Sequence, residues 1–157
     1  MHSILNTPYY ICAMVKDYPI HFFKEDVKFR LLHSNELKQW IFKAFKSNKK
    51  NIQQINYIFC SDQYLLQMNK QYLKHNYFTD IITFDNSSDP KKKEADIFIS
   101  IDRVKANAKA FKIPFKDELH RVMIHGALHL IGYDDKKPEN KKKMKRAEDA
   151  WLEKRGF

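Results

Sequence analysis

Two histidines, His125 and His129, lie in an otherwise apolar segment that ends at Gly132. Neighbours such as Leu128 and Ile131 predict a buried helix, and a glycine is typical of the position just beyond a helix C-terminus. Imidazoles inside an apolar environment need polar partners. The chain must therefore fold so that it covers this helix and also brings hydrogen-bonding or metal-binding groups to it.

The spacing of four residues places both imidazoles on one helix face, about one turn apart, which is typical of two histidines that bind one Zn²⁺. Since Gly132 permits the backbone to reverse, Asp134 or Asp135 can return toward the same ion. Three protein ligands leave one position for water, as in catalytic zinc sites. The spacing alone is equally compatible with two hydrogen-bonded histidines near a core.

The residue after the first histidine is Gly126, where zinc metallopeptidases of the HExxH type carry a glutamate as general base. Peptidase chemistry of that type therefore lacks its base. We expect the missing side chain to leave space for a bulky substrate beside the metal. His120 lies about 140° around the helix from His125, so we expect it at the surface or behind the ligands.

The net charge limits the partners of this chain. Its 157 residues include 29 Lys and Arg against 19 Asp and Glu, which gives a formal net charge of +10. A positive surface attracts polyanions, so RNA, DNA or an anionic membrane are candidate partners. The basic residues concentrate in 136–157, where they either contact a polyanion or form only a solvated helix face.

The N-terminal residues and the cysteines indicate the compartment. The two cysteines, Cys12 and Cys60, cannot form a disulfide framework, which favours a reducing environment. The apolar stretch 9–15 is too short to cross a bilayer. We therefore expect a cytoplasmic protein without membrane contact. Residues 1–19 are expected to be an N-terminal extension, and 20–157 a single domain.

Helical and strand patterns alternate along the chain, which predicts an α+β domain built on a small mixed sheet. Period-two alternation or β-branched runs predict strands over 52–60, 80–84 and 95–101. Helical periodicity and capping residues predict helices that begin near Ser34, Ser61, Asp102, Asp117 and Pro138. The second of these helices is expected to turn Leu65, Leu66, Met68 and Tyr72 inward.

The run 125–134 resembles the HGxLHLxGYDH signature of the YbeY family of metal-dependent endoribonucleases and rRNA maturation factors. The resemblance extends over about 56–151. Residues 68–72 are similar to the family's LNxxYR helix end, 79–84 to its PTDVLSF strand, and 95–100 to its GDIVIS strand. The resemblance implies a mixed sheet of about four strands flanked by helices, with the metal site at the end of a central helix.

The family binds one zinc ion through three histidines, and this resemblance implies the ligands here. Two of the three correspond to His125 and His129, and the third corresponds to Asp135, with Asp134 as the rival ligand. Two histidines and a carboxylate form a known catalytic set for Zn²⁺. The extra negative charge is expected to make bound water less acidic and to extend the choice of metal toward Mn²⁺.

A second departure from the family concerns RNA contacts. The family has an arginine after the tyrosine of its LNxxYR segment, whereas Tyr72 is followed by Leu73. Lys70 and Lys74 are candidate RNA-binding residues in its place, although lysine lacks the bidentate fork of arginine. Both lysines are equally compatible with exposed charge at a helix end.

Together these features predict a zinc-dependent endoribonuclease that is specific for single-stranded RNA. The resemblance implies maturation of the 16S rRNA 3′ end and ribosome quality control, with small-subunit rRNA as partner and ribosomal proteins as candidates. The alternative is an RNA-binding ribosome-assembly factor whose metal is mainly structural, which the missing arginine favours. A hydrolase of peptides or small molecules is disfavoured by Gly126 and by the positive charge.

Overall fold

The structure, a computed structural model, describes residues 16–157, so most of the expected extension and Cys12 lie outside the described residues. The elements are β1 (Ile20–Lys24), α1 (Ser34–Ser47), β2 (Asn51–Cys60), α2 (Asp62–Leu73), β3 (Ile81–Asp85), β4 (Lys92–Ser100), α3 (Ile101–Phe111), α4 (Phe115–Ile131) and α5 (Pro138–Glu153). The α+β prediction is confirmed. Within 16–157, no helix combines the length and apolar character that a membrane crossing requires.

The sheet has the strand order β1-β2-β4-β3 and is mixed. Strands β1, β2 and β4 are parallel, whereas β3 is antiparallel to β4. In this register Tyr57 of β2 lies opposite Ile97 of β4, and both side chains are fully buried. Alternate residues of β2 and β4 face the core, as their period-two pattern predicts. Strand β1 was not predicted, because its IHFFK segment does not alternate between buried and exposed residues.

The helix starts agree only partly with the predicted capping residues. Ser61 caps α2 as predicted, because its hydroxyl accepts a hydrogen bond from a backbone N–H one turn later. Ser34 does not cap α1, which has His33 in a left-handed conformation before it. Asp102 does not cap α3, because the hydroxyl of Ser100 already accepts the bond from that first turn.

Helix α4 packs directly on the sheet at two points. The hydroxyl of Tyr57 donates a buried hydrogen bond of 2.9 Å to the carbonyl of Met123. One turn later Gly126 is buried, and a Cβ atom at this position would lie 2.8 Å from Ile81 Cδ1 and 3.2 Å from Ile97 Cγ2. The sheet therefore occupies the space beside Gly126. The expectation that this glycine leaves room for a substrate is wrong.

Helix α5 covers the other side of α4. Met144 of α5 is buried in the main core, and Trp40 of α1 donates a hydrogen bond of 2.8 Å to the carbonyl of Trp151 near the end of α5. The central helix is consequently enclosed between the sheet and α5. This arrangement provides the cover that the apolar sequence of α4 requires.

We predict that Gly126→Val lowers the free energy of unfolding by about 2 kcal/mol, because the added side chain overpacks the contact between α4 and the sheet. Urea denaturation of the metal-free protein measures this change. Ala150→Val at an exposed position of α5 is the matched control and costs less than about 0.7 kcal/mol. Equal costs at the two positions would contradict the close contact.

Candidate metal centre

Helix α4 and the loop after it bring three side chains together. The Nε2 atoms of His125 and His129 lie 3.0 Å apart, one helical turn from each other. Gly132 then ends the helix with a φ of 125°, a backbone conformation that favours glycine. The chain reverses there, and Oδ2 of Asp135 lies 3.4 Å from each of the two Nε2 atoms.

The three facing atoms fit the coordination shell of one ion. Ligand atoms about 2.1 Å from a tetrahedral Zn²⁺ are separated by about 3.4 Å, close to the observed distances. Two imidazole nitrogens and a carboxylate oxygen are also donors that Zn²⁺ accepts. Among residues 16–157, His125, His129 and Asp135 form the one group of at least three potential ligands close enough to share a metal.

The remaining ring nitrogens of both histidines have fixed partners. Nδ1 of His125 donates to Oε1 of Glu148 on α5 at 2.6 Å, and Nδ1 of His129 donates to the carbonyl of Tyr133 at 3.1 Å. With the proton on Nδ1, each Nε2 has its lone pair free to bind a cation. Partners of this kind orient the ligands of metal sites.

Neither partner was identified in the sequence analysis. Glu148 lies 23 positions from His125, and its one local signal is a carboxylate on the apolar face of α5, four residues after Met144. The carbonyl of Tyr133 has no signal in the sequence, because any residue supplies this group.

Carboxylates surround His125 and make the centre electrostatically favourable for a cation. Burial opposes protonation of His125, but the hydrogen bond and charge of Glu148, with Asp135 and Asp80, raise the pKa of its imidazole. Burial raises the pKa of Asp80 against the opposing effect of His125. Burial and the charge of Asp80 also raise the pKa of Glu118. A cation at this position therefore stabilises the ionised forms of several nearby carboxyl groups.

Asp134, the rival ligand, has a different role. Its Oδ1 accepts hydrogen bonds from the backbone N–H groups of Asp135 and Lys136, at 2.8 and 3.2 Å. Its Oδ2 accepts a bond from the side chain of Asn140 at 3.1 Å, and the backbone bond from Lys136 is the main reason that the pKa of Asp134 is lowered. Asp134 thus holds the turn between α4 and α5, while Asp135 faces the histidines.

Two open cavities meet at the candidate centre. The β3 groove, a cavity of about 740 Å³, is lined by His125, His129 and Asp135, together with Leu73, Tyr77, Asp80 and Lys136. The α5 groove, a cavity of about 480 Å³, shares His125 and Asp135 and is otherwise lined by residues that include Phe111, Ile113, Lys141 and Lys145. A ligand that reaches the centre can therefore extend in two directions.

The other residues singled out in the sequence lie away from the three facing atoms. Leu73 lines the β3 groove, but Lys70 and Lys74 are exposed at the end of α2 and are not among the residues that line it. Tyr72 is 59% exposed, so its expected inward orientation is wrong. Lys136 is a cation that lines the groove.

His120 is buried rather than at the surface. Its Nδ1 lies 2.8 Å from Nη1 of Arg155, and its ring packs against Trp40 and Phe157. Burial, reinforced by the charge of Arg155, lowers the pKa of His120 to about 3. It therefore belongs to the contact between α1, α4 and the C-terminal residues.

Comparisons with known proteins agree with this fold and identify the family. The family model described as Endoribonuclease YbeY matches residues 20–156. The protein named Endoribonuclease YbeY from Cytophaga hutchinsonii is 53% identical over 143 residues, which cover 91% of this chain and 100% of the relative. The protein of the same name from Karelsulcia muelleri is 50% identical over 127 residues, covering 81% of this chain and 89% of the relative.

The fold is also similar to a solved structure. The solution structure of TM1509 from Thermotoga maritima matches with a TM-score of 0.62 and 26% sequence identity, and the match covers 87% of this chain and 88% of that one. Because the family model covers nearly all of the described residues and the relatives match over most of their length, the chain belongs to the YbeY family of endoribonucleases.

Proposed function

We propose that this chain is a metal-dependent endoribonuclease that cleaves single-stranded RNA. We further propose that it acts in the cytoplasm on the 3′ end of 16S rRNA and in ribosome quality control. The observation that carries the proposal is the convergence of three potential ligand atoms, 3.0 to 3.4 Å apart, where two open grooves meet. The activity named for the relatives and the net charge of +10 both support RNA as the substrate.

The proposed ligands of one Zn²⁺ per chain are His125, His129 and Asp135. Their donor atoms and spacing fit this ion, and the carboxylate also suits Mn²⁺. When bound, such an ion supplies a Lewis acid for a phosphoryl oxygen and lowers the pKa of a water ligand. Glu148 and the Tyr133 carbonyl contribute by holding both imidazoles in the orientation that binding requires.

The grooves favour an unpaired strand as the substrate. Splayed bases and phosphates of single-stranded RNA can enter open grooves on both sides of a centre, whereas a duplex keeps its bases stacked and paired. Lys136 lies in the β3 groove, where it can contact a phosphate. The proposed specificity for single strands therefore rests on the continuity of the two grooves through His125 and Asp135.

A mainly structural role of the metal receives less support. Structural zinc sites are closed by four protein ligands. The described part of the chain has three potential ligands in this cluster, and no fourth His, Cys, Asp or Glu joins them. The centre also borders both grooves rather than the closed core.

We predict that His129→Ala abolishes both stoichiometric zinc binding and RNA cleavage. We also predict that Asp135→Asn reduces zinc affinity by at least about tenfold, because it removes a charged ligand. Asp134→Asn is the matched control and changes either property by less than about threefold, because an amide oxygen can still accept the two backbone hydrogen bonds that hold the loop. Zinc content by mass spectrometry and cleavage of an end-labelled single-stranded RNA measure these effects. Undiminished cleavage by metal-free His129→Ala would refute the proposal.

We predict that Glu148→Gln weakens zinc binding by about 10- to 100-fold, because it removes the charge that supports His125. Competition with a chelator of known affinity measures the change. Asp149→Asn removes a neighbouring carboxylate that bonds to Arg121 at 2.8 Å and has no bond to His125, so it serves as the control. Equal losses in the two variants would show that the bond to His125 has no special role.

A further inference from the structure

We propose that the α5 groove is the second half of the RNA path, and that Lys141 and Lys145 bind phosphates there on one side of the cleaved bond. This inference rests on the proposed endoribonuclease activity and assigns substrate contacts that the metal ligands do not provide. It gives part of the basic segment 136–157 a specific role. Lys136 of that segment lines the β3 groove, whereas Lys142 and Lys143 line neither groove.

The α5 groove adjoins the β3 groove at the candidate metal centre. It shares His125 and Asp135 with the β3 groove, so a strand whose phosphate lies at the centre can continue into both cavities. Its volume of about 480 Å³ falls within the roughly 300–1,000 Å³ that ligand sites occupy. A chain-like substrate therefore has space on either side of the reacting phosphate.

The helical spacing of α5 places Lys141 and Lys145 on the same face of the helix. Lys141, Met144, Lys145 and Glu148 follow one another at i, i+3, i+4 and i+7, so they share one face of α5. Met144 and Glu148 are buried against α4, which places the two lysines above them along the groove. Both lysines are exposed and line the groove, whereas the adjacent Lys142 and Lys143 are exposed but do not line it.

The charges in the groove leave both ammonium groups available. Within residues 16–157, Lys141 has no carboxylate at salt-bridge distance, and Lys145 has only Asp149 at 3.8 Å, in a pair exposed to solvent. Exposed ion pairs of this kind contribute little to stability, so a phosphate can readily replace the carboxylate. Glu148, one of the carboxylates that line the groove, already bonds to His125 and Arg121. A phosphate entering the groove therefore meets two cations without strong internal partners.

The part of the groove lining that comes from the end of α3 suits the bases of the same strand. It contains Ile113 and Phe111, whose side chain at the end of α3 is 63% exposed. Single-strand-binding surfaces combine cations that follow the phosphates with aromatic rings on which bases stack. The α5 groove has this combination, because its lining includes two lysines of α5 and the exposed ring of Phe111.

The test compares two double variants of the zinc-loaded enzyme with equal loss of charge. K141Q/K145Q removes the groove lysines, and K142Q/K143Q removes two lysines of the same helix outside the groove. The value of kcat/KM for a single-stranded RNA is measured across roughly 50 to 200 mM KCl. We expect K141Q/K145Q to reduce kcat/KM about tenfold at low salt and to lower the slope of its logarithm against log salt by about 1.4.

Three further measurements complete the test. K142Q/K143Q is expected to change the slope by less than half as much, and K141R/K145R to retain the wild-type slope. Phe111→Ala is expected to raise KM about fivefold or more with unchanged zinc content. Equal effects of the two glutamine variants, with an active wild-type enzyme, would overturn this inference alone. A zinc-loaded wild-type protein that cleaves no RNA would overturn the proposed function as well.

Discussion

The packing of α4 on the sheet at Gly126 determines where the candidate metal centre lies. A Cβ atom at this position would approach Ile81 Cδ1 to 2.8 Å, so any other residue here would force this side chain to shift. Together with the bond from Tyr57 to the Met123 carbonyl, this contact fixes the rotation of α4. The adjacent His125 then faces α5 and the loop after Gly132 rather than the sheet. The glycine at this position, where HExxH metallopeptidases carry a glutamate, thus has a structural cause in the fold.

The centre resolves a conflict in the sequence, which places two polar rings in an apolar helix. Glu148 and the Tyr133 carbonyl satisfy one nitrogen of each ring, and Asp135 faces the two that remain. In our proposal a cation completes this arrangement. The resemblance to the family implies a histidine at the position of Asp135, so the proposed ligand set carries one more negative charge. We expect that charge, together with Glu148, to favour retention of a bound cation and to make a water on it less acidic.

Local patterns in the sequence predicted much of the fold. They also predicted the three residues of the candidate metal centre, which lie close together in sequence. Strands β2 and β4 and helices α1 and α4 carry clear periodicities, and the three facing residues lie within eleven positions, around one glycine turn. The features that were missed depend on distant parts of the chain. Strand β1 becomes recognisable only through its parallel pairing with β2, and Glu148 only through the packing of α5 on α4. The close packing of Gly126 on the sheet was not predicted, because its neighbours in β3 and β4 are remote in sequence.

X-ray absorption at the zinc edge of the zinc-loaded protein tests the central claim most directly. The account predicts about four nitrogen or oxygen neighbours at roughly 2.0–2.1 Å, with the outer scattering of two imidazoles and no sulfur at about 2.3 Å. It also predicts that one neighbour exchanges with an added anion such as azide, because one position is not filled by the protein. A sulfur neighbour, a third imidazole, or a shell that no added anion can enter would contradict the proposed centre.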